Sequence, residues 1–181
     1  MSTLANAHTS RVFFALWPER AIHARLAHHA QSLHSRLGGQ ITEETSIHLT
    51  LVFVGNIMQA ALESLCMGAA AVEFAPFTVS IERAGCWSHN QIAWLAPSTV
   101  PMPLLSLVSQ LQTIVRAAGI ELDRHDYAPH LTVVRKAKCA RFDPTVEAIA
   151  WPVEDFVLVR SQRGQRGSRY EVIGRWPGTT R

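Results

Sequence analysis

The chain has 181 residues, 48% of them hydrophobic and 17% charged, with 10 Gly and 9 Pro. That length suits one domain or two small lobes sharing a core, and that balance excludes a disordered or low-complexity chain. The longest apolar run, residues 12–17, falls far short of the ~20 residues that cross a bilayer, and residues 1–10 lack the basic start and apolar stretch of a secretory signal, so a soluble cytoplasmic protein is expected. Cut at Asp123, the net charge of +3 separates into −2 over residues 1–123 and +5 over residues 124–181, where nine of the eleven basic residues are arginine. Arginine suits forked contacts with phosphate, so this third points to an anionic partner such as RNA or a nucleotide, although charge alone fits a solvated basic face equally well.

After a tail expected to be flexible over residues 1–10, residues 11–17 (RVFFALW) read as a short buried strand closed by Pro18. Pro18 and Glu19 open a helix in which Ile22, Leu26, Ala30, Leu33 and Leu37 recur at three- and four-residue steps until Gly38-Gly39 stops it. A strand over 47–54 ends at Gly55-Asn56, and Ala61, Leu62, Leu65 and Ala69 mark a second helix over 58–72. Strands over 77–84 and 91–95 flank a turn at Ser88-His89-Asn90, and a third helix covers 104–118. Strands over 127–135, 156–160 and 170–176 complete the chain, with a Gly/Arg-rich loop over 161–169. Cys66, Cys86 and Cys139 are odd in number and widely spaced, with no CxxC pair; they are read as packing residues in a reducing compartment.

The order strand, long helix, strand occurs twice, and Arg11 precedes His48 by nearly the same step as Gln91 precedes His130. The expected fold is α+β: a single bilobal domain over 11–181, its two similar lobes of antiparallel-rich sheet packed sheet to sheet around a central cleft, with helices outside and a pseudo-twofold duplication. A doubly wound parallel fold is the alternative, but no Gly-rich nucleotide fingerprint follows a strand.

Each repeat ends in the same pattern, His48-Leu49-Thr50-Leu51 and His130-Leu131-Thr132-Val133. Side chains alternate along a strand, so His48 and Thr50 share one face, with Ile47, Leu49, Leu51 and Phe53 on the other; His130 and Thr132 likewise oppose Leu131 and Val133. Related by a twofold axis, the two pairs meet across one cleft. In-line displacement at phosphorus needs a proton taken from water and one given to the leaving oxygen, which two histidines can do at neutral pH while threonine hydroxyls hold the non-bridging oxygens. That chemistry calls for no cofactor and no metal, and threonine is a poor zinc ligand. His8, His23, His28, His29, His34, His89 and His125 belong to no second motif and are read as structural.

With these motifs the chain resembles the two-histidine phosphoesterases and, within them, the bacterial RNA 2′,3′-cyclic phosphodiesterases once described as 2′-5′ RNA ligases. The resemblance covers nearly the whole chain: RVFFAL at 11–16, HLTLVFVG at 48–55, IAWL at 92–95, PHLTVVR at 129–135, and Ser168-Arg169-Tyr170 to Trp176. His89-Asn90-Gln91 departs from it, standing where the family commonly carries an arginine. The resemblance implies hydrolysis of a 2′,3′-cyclic phosphate at an RNA end, tRNA fragments among the candidate substrates, to a 2′-phosphate. His48 would be the acid on the leaving 3′ oxygen, His130 the base on water, and slow 2′-5′ ligation a side reaction. It also implies that Arg135 contacts phosphate although strict alternation puts it on the far strand face. Arg163, Arg166 and Arg169 are candidate RNA-backbone contacts, and Phe13 and Tyr170 candidate stacking residues. Two other readings stay open, a phosphodiesterase of small cyclic nucleotides and a non-catalytic RNA-end-binding module.

Overall fold

A computed structural model describes residues 9–123, 126–139, 145–164 and 167–179, with only the backbone of Arg163 and Gly167. Its strands are β1 (Thr9–Leu16), β2 (Gln40–Ile41), β3 (Leu49–Met58), β4 (Phe77–Trp87), β5 (Ile92–Ala96), β6 (Leu131–Arg135), β7 (Thr145–Val153), β8 (Asp155–Gly164) and β9 (Gly167–Pro177). Its helices are α1 (Arg20–Leu37), α2 (Gln59–Ala70) and α3 (Met102–Ala117), and a 3-10 turn covers Glu44–Ser46. No described helix is long and apolar enough to cross a membrane.

The strands form one antiparallel sheet in the order β7-β4-β5-β6-β3-β1-β8-β9, with β2 also paired to β6. Read outward from the β6–β3 seam, the two sides match: β6 and β3 carry the repeated motifs, β5 and β1 open the repeats, and an antiparallel pair flanks each, β4 with β7 on one side and the β8–β9 hairpin on the other. The expected duplication is therefore present, but the halves share an edge instead of packing face on face. The reason is local: β2 and the start of β3 both run antiparallel to β6, through Gln40↔Arg135, Ile41↔Val134 and Leu49↔Leu131.

All three helices cover one face of the sheet. From β1, Val12, Phe14 and Leu16 enter the main core beneath the helices, while Phe13 and Ala15 join Val157 and Val159 in a small cluster on the other face. Each long helix crosses the seam: α1 lies against β6 and β7, and α3 against β3. Neither half can therefore move without disturbing the other's core, which holds the two motif strands in a fixed relation.

The chain differs from the sequence reading in several places, and β3 runs through the expected stop at Gly55-Asn56 to Met58. Thr9 and Ser10, expected in the tail, are already in β1, paired with Met58 and Ile57; residues 1–8 lie outside the described residues. Strand β7 has no counterpart in the sequence reading because Pro152 interrupts its alternation; β7 is an edge strand, where a missing N–H is tolerated, and Ile149, Trp151 and Val153 do alternate inward. The expected loop at 161–169 is largely the β8–β9 hairpin, paired from Asp155↔Pro177 to Gly164↔Gly167 with one shift of register after Leu158. Finally, Cys86 and Cys139 form a disulfide with Cα atoms 5.5 Å apart, leaving only Cys66 free. Spacing could not reveal this, because β4 and the segment after β6 become neighbours only once β5 lies between β4 and β6.

This disulfide spans 53 residues of sequence, so restricting the unfolded chain is expected to contribute roughly 2–4 kcal/mol. Reduction, or Cys86→Ser, should lower Tm by about 4–16 °C for a chain of this size. A calorimetric melt that dithiothreitol leaves unmoved would show that the bond adds nothing.

Candidate active site

The seam determines how the two motifs meet. Leu49 opposite Leu131 in an antiparallel pair sets His48 across from Thr132 and Thr50 across from His130. The imidazoles thus occupy opposite corners, with a hydroxyl at each remaining corner, on the sheet face away from the helices. A cavity of about 600 Å³ opens over them, lined by His48, Thr50, His130, Thr132 and Arg135 together with Arg11, Phe13, Phe53, Tyr170 and the 40–43 segment.

Both imidazoles are anchored alike. His48 Nδ1 lies 2.8 Å from the Ser46 carbonyl and His130 Nδ1 2.8 Å from the Ala128 carbonyl. A carbonyl only accepts, so Nδ1 carries hydrogen in each ring and Nε2 is left as the basic atom. Burial pushes His48 down to about 4; the Ser46 carbonyl opposes this, and Arg135, His130 and His23 reinforce it. His130 is also lowered, by burial first and then by Arg135. At neutral pH both rings are therefore uncharged in the free protein.

Aromatic packing fixes the His48 ring. It is sandwiched between Trp17, at 5.1 Å and 4° between planes, and Phe13, at 4.9 Å and 27°. Tyr170 meets it edge-on at 5.1 Å. Phe13 and Tyr170, expected as stacking residues for RNA, thus pack first against the histidine itself, and Trp17 joins them with no sequence signal to mark it. His130 has a lighter frame, with Trp87 edge-on at 4.6 Å. Tyr127 joins the halves: its phenol donates to the Thr50 carbonyl at 3.2 Å, and burial pushes its pKa above the usual phenol range.

Two side chains are on the opposite strand face from the one alternation assigns. Trp94 pairs with Thr132 and Ala93 with Val134, so Val133 is an extra residue in β6. A bulge inverts the alternation beyond it, turning Arg135 onto the site face. The same occurs in β3, where Ala15 pairs with Thr50 and Phe14 with Val52, leaving Leu51 extra. Leu51-Val52 and Val133-Val134 are accordingly buried in succession. Phe53, expected in the core, is instead 49% exposed at the cavity, with the Arg11 guanidinium 4.9 Å from its ring centre. Arg135 and Phe53 are thus equivalent positions of the two repeats. Gly39 helps hold Arg135, because β2 passes so closely that a Cβ at Gly39 would collide with the Arg135 and Lys136 carbonyls.

The other candidate arginines fare differently. Arg169 is exposed on β9, while the Arg163 side chain and Arg166 lie outside what the structure describes. Arg160 and Arg175 pair with Glu171 and Asp155, so part of the C-terminal charge is engaged internally. Residues 88–91 do not line the cavity. Among the histidines read as structural, His29 donates to the Glu147 carbonyl of the edge strand, while His8 and His125 lie outside the described residues.

Paired imidazoles and hydroxyls facing each other across the seam of a duplicated sheet define the class of two-histidine phosphoesterases. The chain belongs to the 2′-5′ RNA ligase superfamily, whose family model matches residues 18–165. It is 25% identical over 167 residues to the RNA 2′,3′-cyclic phosphodiesterase of Escherichia coli K12, covering 92% of this chain and 95% of that one. It is also 25% identical, over 90% of this chain and 87% of the relative, to the RNA 2′,3′-cyclic phosphodiesterase of Thermus thermophilus. The crystal structure of E. coli LigT complexed with 3′-AMP superposes with a TM-score of 0.86 at 25% identity, covering 96% of this chain and all of that one.

Proposed function

We propose that this protein opens the 2′,3′-cyclic phosphate at the end of an RNA, leaving a 2′-phosphate and a free 3′-hydroxyl. The observation that carries the reading is the diagonal placement of two Nε2-basic imidazoles across one cavity, each opposite the other motif's threonine. With phosphorus between them, His130 takes a proton from water as it attacks, and His48 gives one to the departing 3′ oxygen. Thr50, Thr132 and the Arg135 guanidinium hold the non-bridging oxygens as their charge grows. A donor made acidic by burial releases its proton readily, and the less perturbed His130 is the better base. The productive form, His48 charged and His130 neutral, is a minority of the free protein; the anionic substrate offsets this by favouring imidazolium. With a 5′-hydroxyl in place of water the same site forms a 2′-5′ linkage slowly. Protein groups supply every step, so the reaction needs no metal.

Recognition centres on the terminal nucleotide, because among the described residues Arg11 and Arg135 are the cations lining the cavity. Phe53 and Ile41 present exposed apolar surface there for a base. We place the protein with its RNA substrates, tRNA fragments among them, in the cytoplasm. The test is an oligonucleotide ending in 2′,3′-cyclic phosphate, incubated with the protein in EDTA. A 2′-phosphate product formed at the metal-replete rate is expected. Binding without turnover would make the protein an RNA-end-binding module, a 3′-phosphate product would reverse the leaving oxygen, and activity lost to EDTA and restored by a divalent ion would overturn the metal-free mechanism. With recognition centred on the terminal nucleotide a small cyclic mononucleotide should be opened too; one turned over faster than the oligonucleotide would make that the substrate class.

A further inference from the structure

Among the described residues His23 is the buried polar side chain, 6% exposed on the inner face of α1. Its Nε2 lies 2.9 Å from the Ile47 carbonyl and so donates to it, across 24 residues of sequence. Ile47 joins the 3-10 turn, whose Ser46 carbonyl holds His48 Nδ1, to His48 itself. The His23 ring also meets Trp17 edge to face at 6.5 Å, and Trp17 lies flat on His48. One side chain therefore braces both the peptide that precedes His48 and the ring that stacks on it. From these contacts we infer that His23 is a positioning residue for His48, acting through the Ile47 carbonyl and the Trp17 indole.

The repeat supports the same conclusion. Aligning the two motifs sets Ile47 opposite Pro129, the residue before His130. Proline fixes its own φ, so the backbone leading to His130 is stiffened covalently. Ile47 has no such restraint, and the hydrogen bond from His23 supplies it. A buried imidazole N–H left unpaired is costly, so the bond from His23 holds the Ile47 carbonyl in place as firmly as it holds the ring. Small displacements of a reacting group cost rate more than binding, since substrate contacts elsewhere in the cavity persist.

Three variants and two readouts test this. His23→Gln keeps a donor at nearly the same reach, whereas His23→Leu removes it; His23→Met fills the space without a donor and takes Leu's place should that variant not fold. In the wild type, nitrogen-15 NMR should find His48 in the Nδ1–H form, titrating at about 4. The donor-less variant should lose the single tautomer and titrate closer to an ordinary imidazole, with kcat lowered roughly 10-fold and KM unchanged. His23→Gln should restore both. Wild-type His48 spectra and kcat in the donor-less variant would overturn the inference, as would equal impairment of the Gln and donor-less forms, which would mark His23 as packing only. The kinetic arm rests on the proposed hydrolysis but the titration needs no substrate, so a wild type without turnover overturns that function while the spectra still decide this role.

Discussion

Replacing His48 or His130 with alanine is expected to lower the rate of cyclic-phosphate opening by roughly 10²-fold or more, since a positioned acid or base contributes about 10²–10⁴. The two Nε2 atoms sit at opposite corners of the seam, and among the described residues no other imidazole lines the cavity, so neither has a substitute. They act on one transferring proton inventory, and the double variant should be little slower than either single one. The accompanying stability changes should differ. His48 is packed between Phe13 and Trp17, so its removal leaves a gap, whereas His130 has a lighter aromatic frame. Single-turnover rates, with circular dichroism to show that each variant is folded, separate the two effects. Near-full activity in either single variant would exclude the paired mechanism.

Changing Arg135 to Gln should slow the reaction on the order of 10²-fold and move its pH optimum upward. The rate effect follows from losing a fixed positive charge at the developing phosphorane oxygens. The shift has a definite sign: Arg135 lowers both imidazoles, so without it both bind protons more readily. In the wild type kcat/KM requires one proton on the pair. It should fall below about 4 as His48 is protonated in addition to His130, and fall again as pH rises through the lowered value of His130. The optimum therefore lies on the acid side of neutrality, and in the variant both limbs move to higher pH. Lys136→Gln, at an exposed neighbour outside the cavity lining, is the control for general charge. A slower variant with an unmoved profile would place Arg135 on the substrate but away from the imidazoles; an unchanged rate would remove it from the mechanism.

The duplicated order of elements and the two His-x-Thr pairs could be read directly, because periodicity within a strand or helix is a local property. So could the partition of Leu49 and Leu131 from the polar pairs, since alternation holds as long as pairing is regular. It fails beyond Leu51 and Val133, where one strand carries a residue more than its partner. Phe53 and Arg135 change faces there, and no feature of HLTLVF or HLTVVR announces it. Pro152 concealed β7 because its tolerance depends on the strand lying at an edge, a fact about the whole sheet.

What the sequence by itself determined is thus the local repertoire: three amphipathic helices, strands of the right length, and a chemically matched pair of motifs at equivalent places in two repeats. Everything that turns that repertoire into a site required the tertiary structure. The seam register of Leu49 with Leu131 sets the imidazoles at opposite corners. The bulges bring Arg135 and Phe53 to the cavity, α1 carries His23 beneath His48, and the order of strands brings Cys86 to Cys139. Each of these is a relation between segments far apart in the chain. Such relations are chosen by which apolar faces can be buried together, a collective outcome that no window of sequence contains.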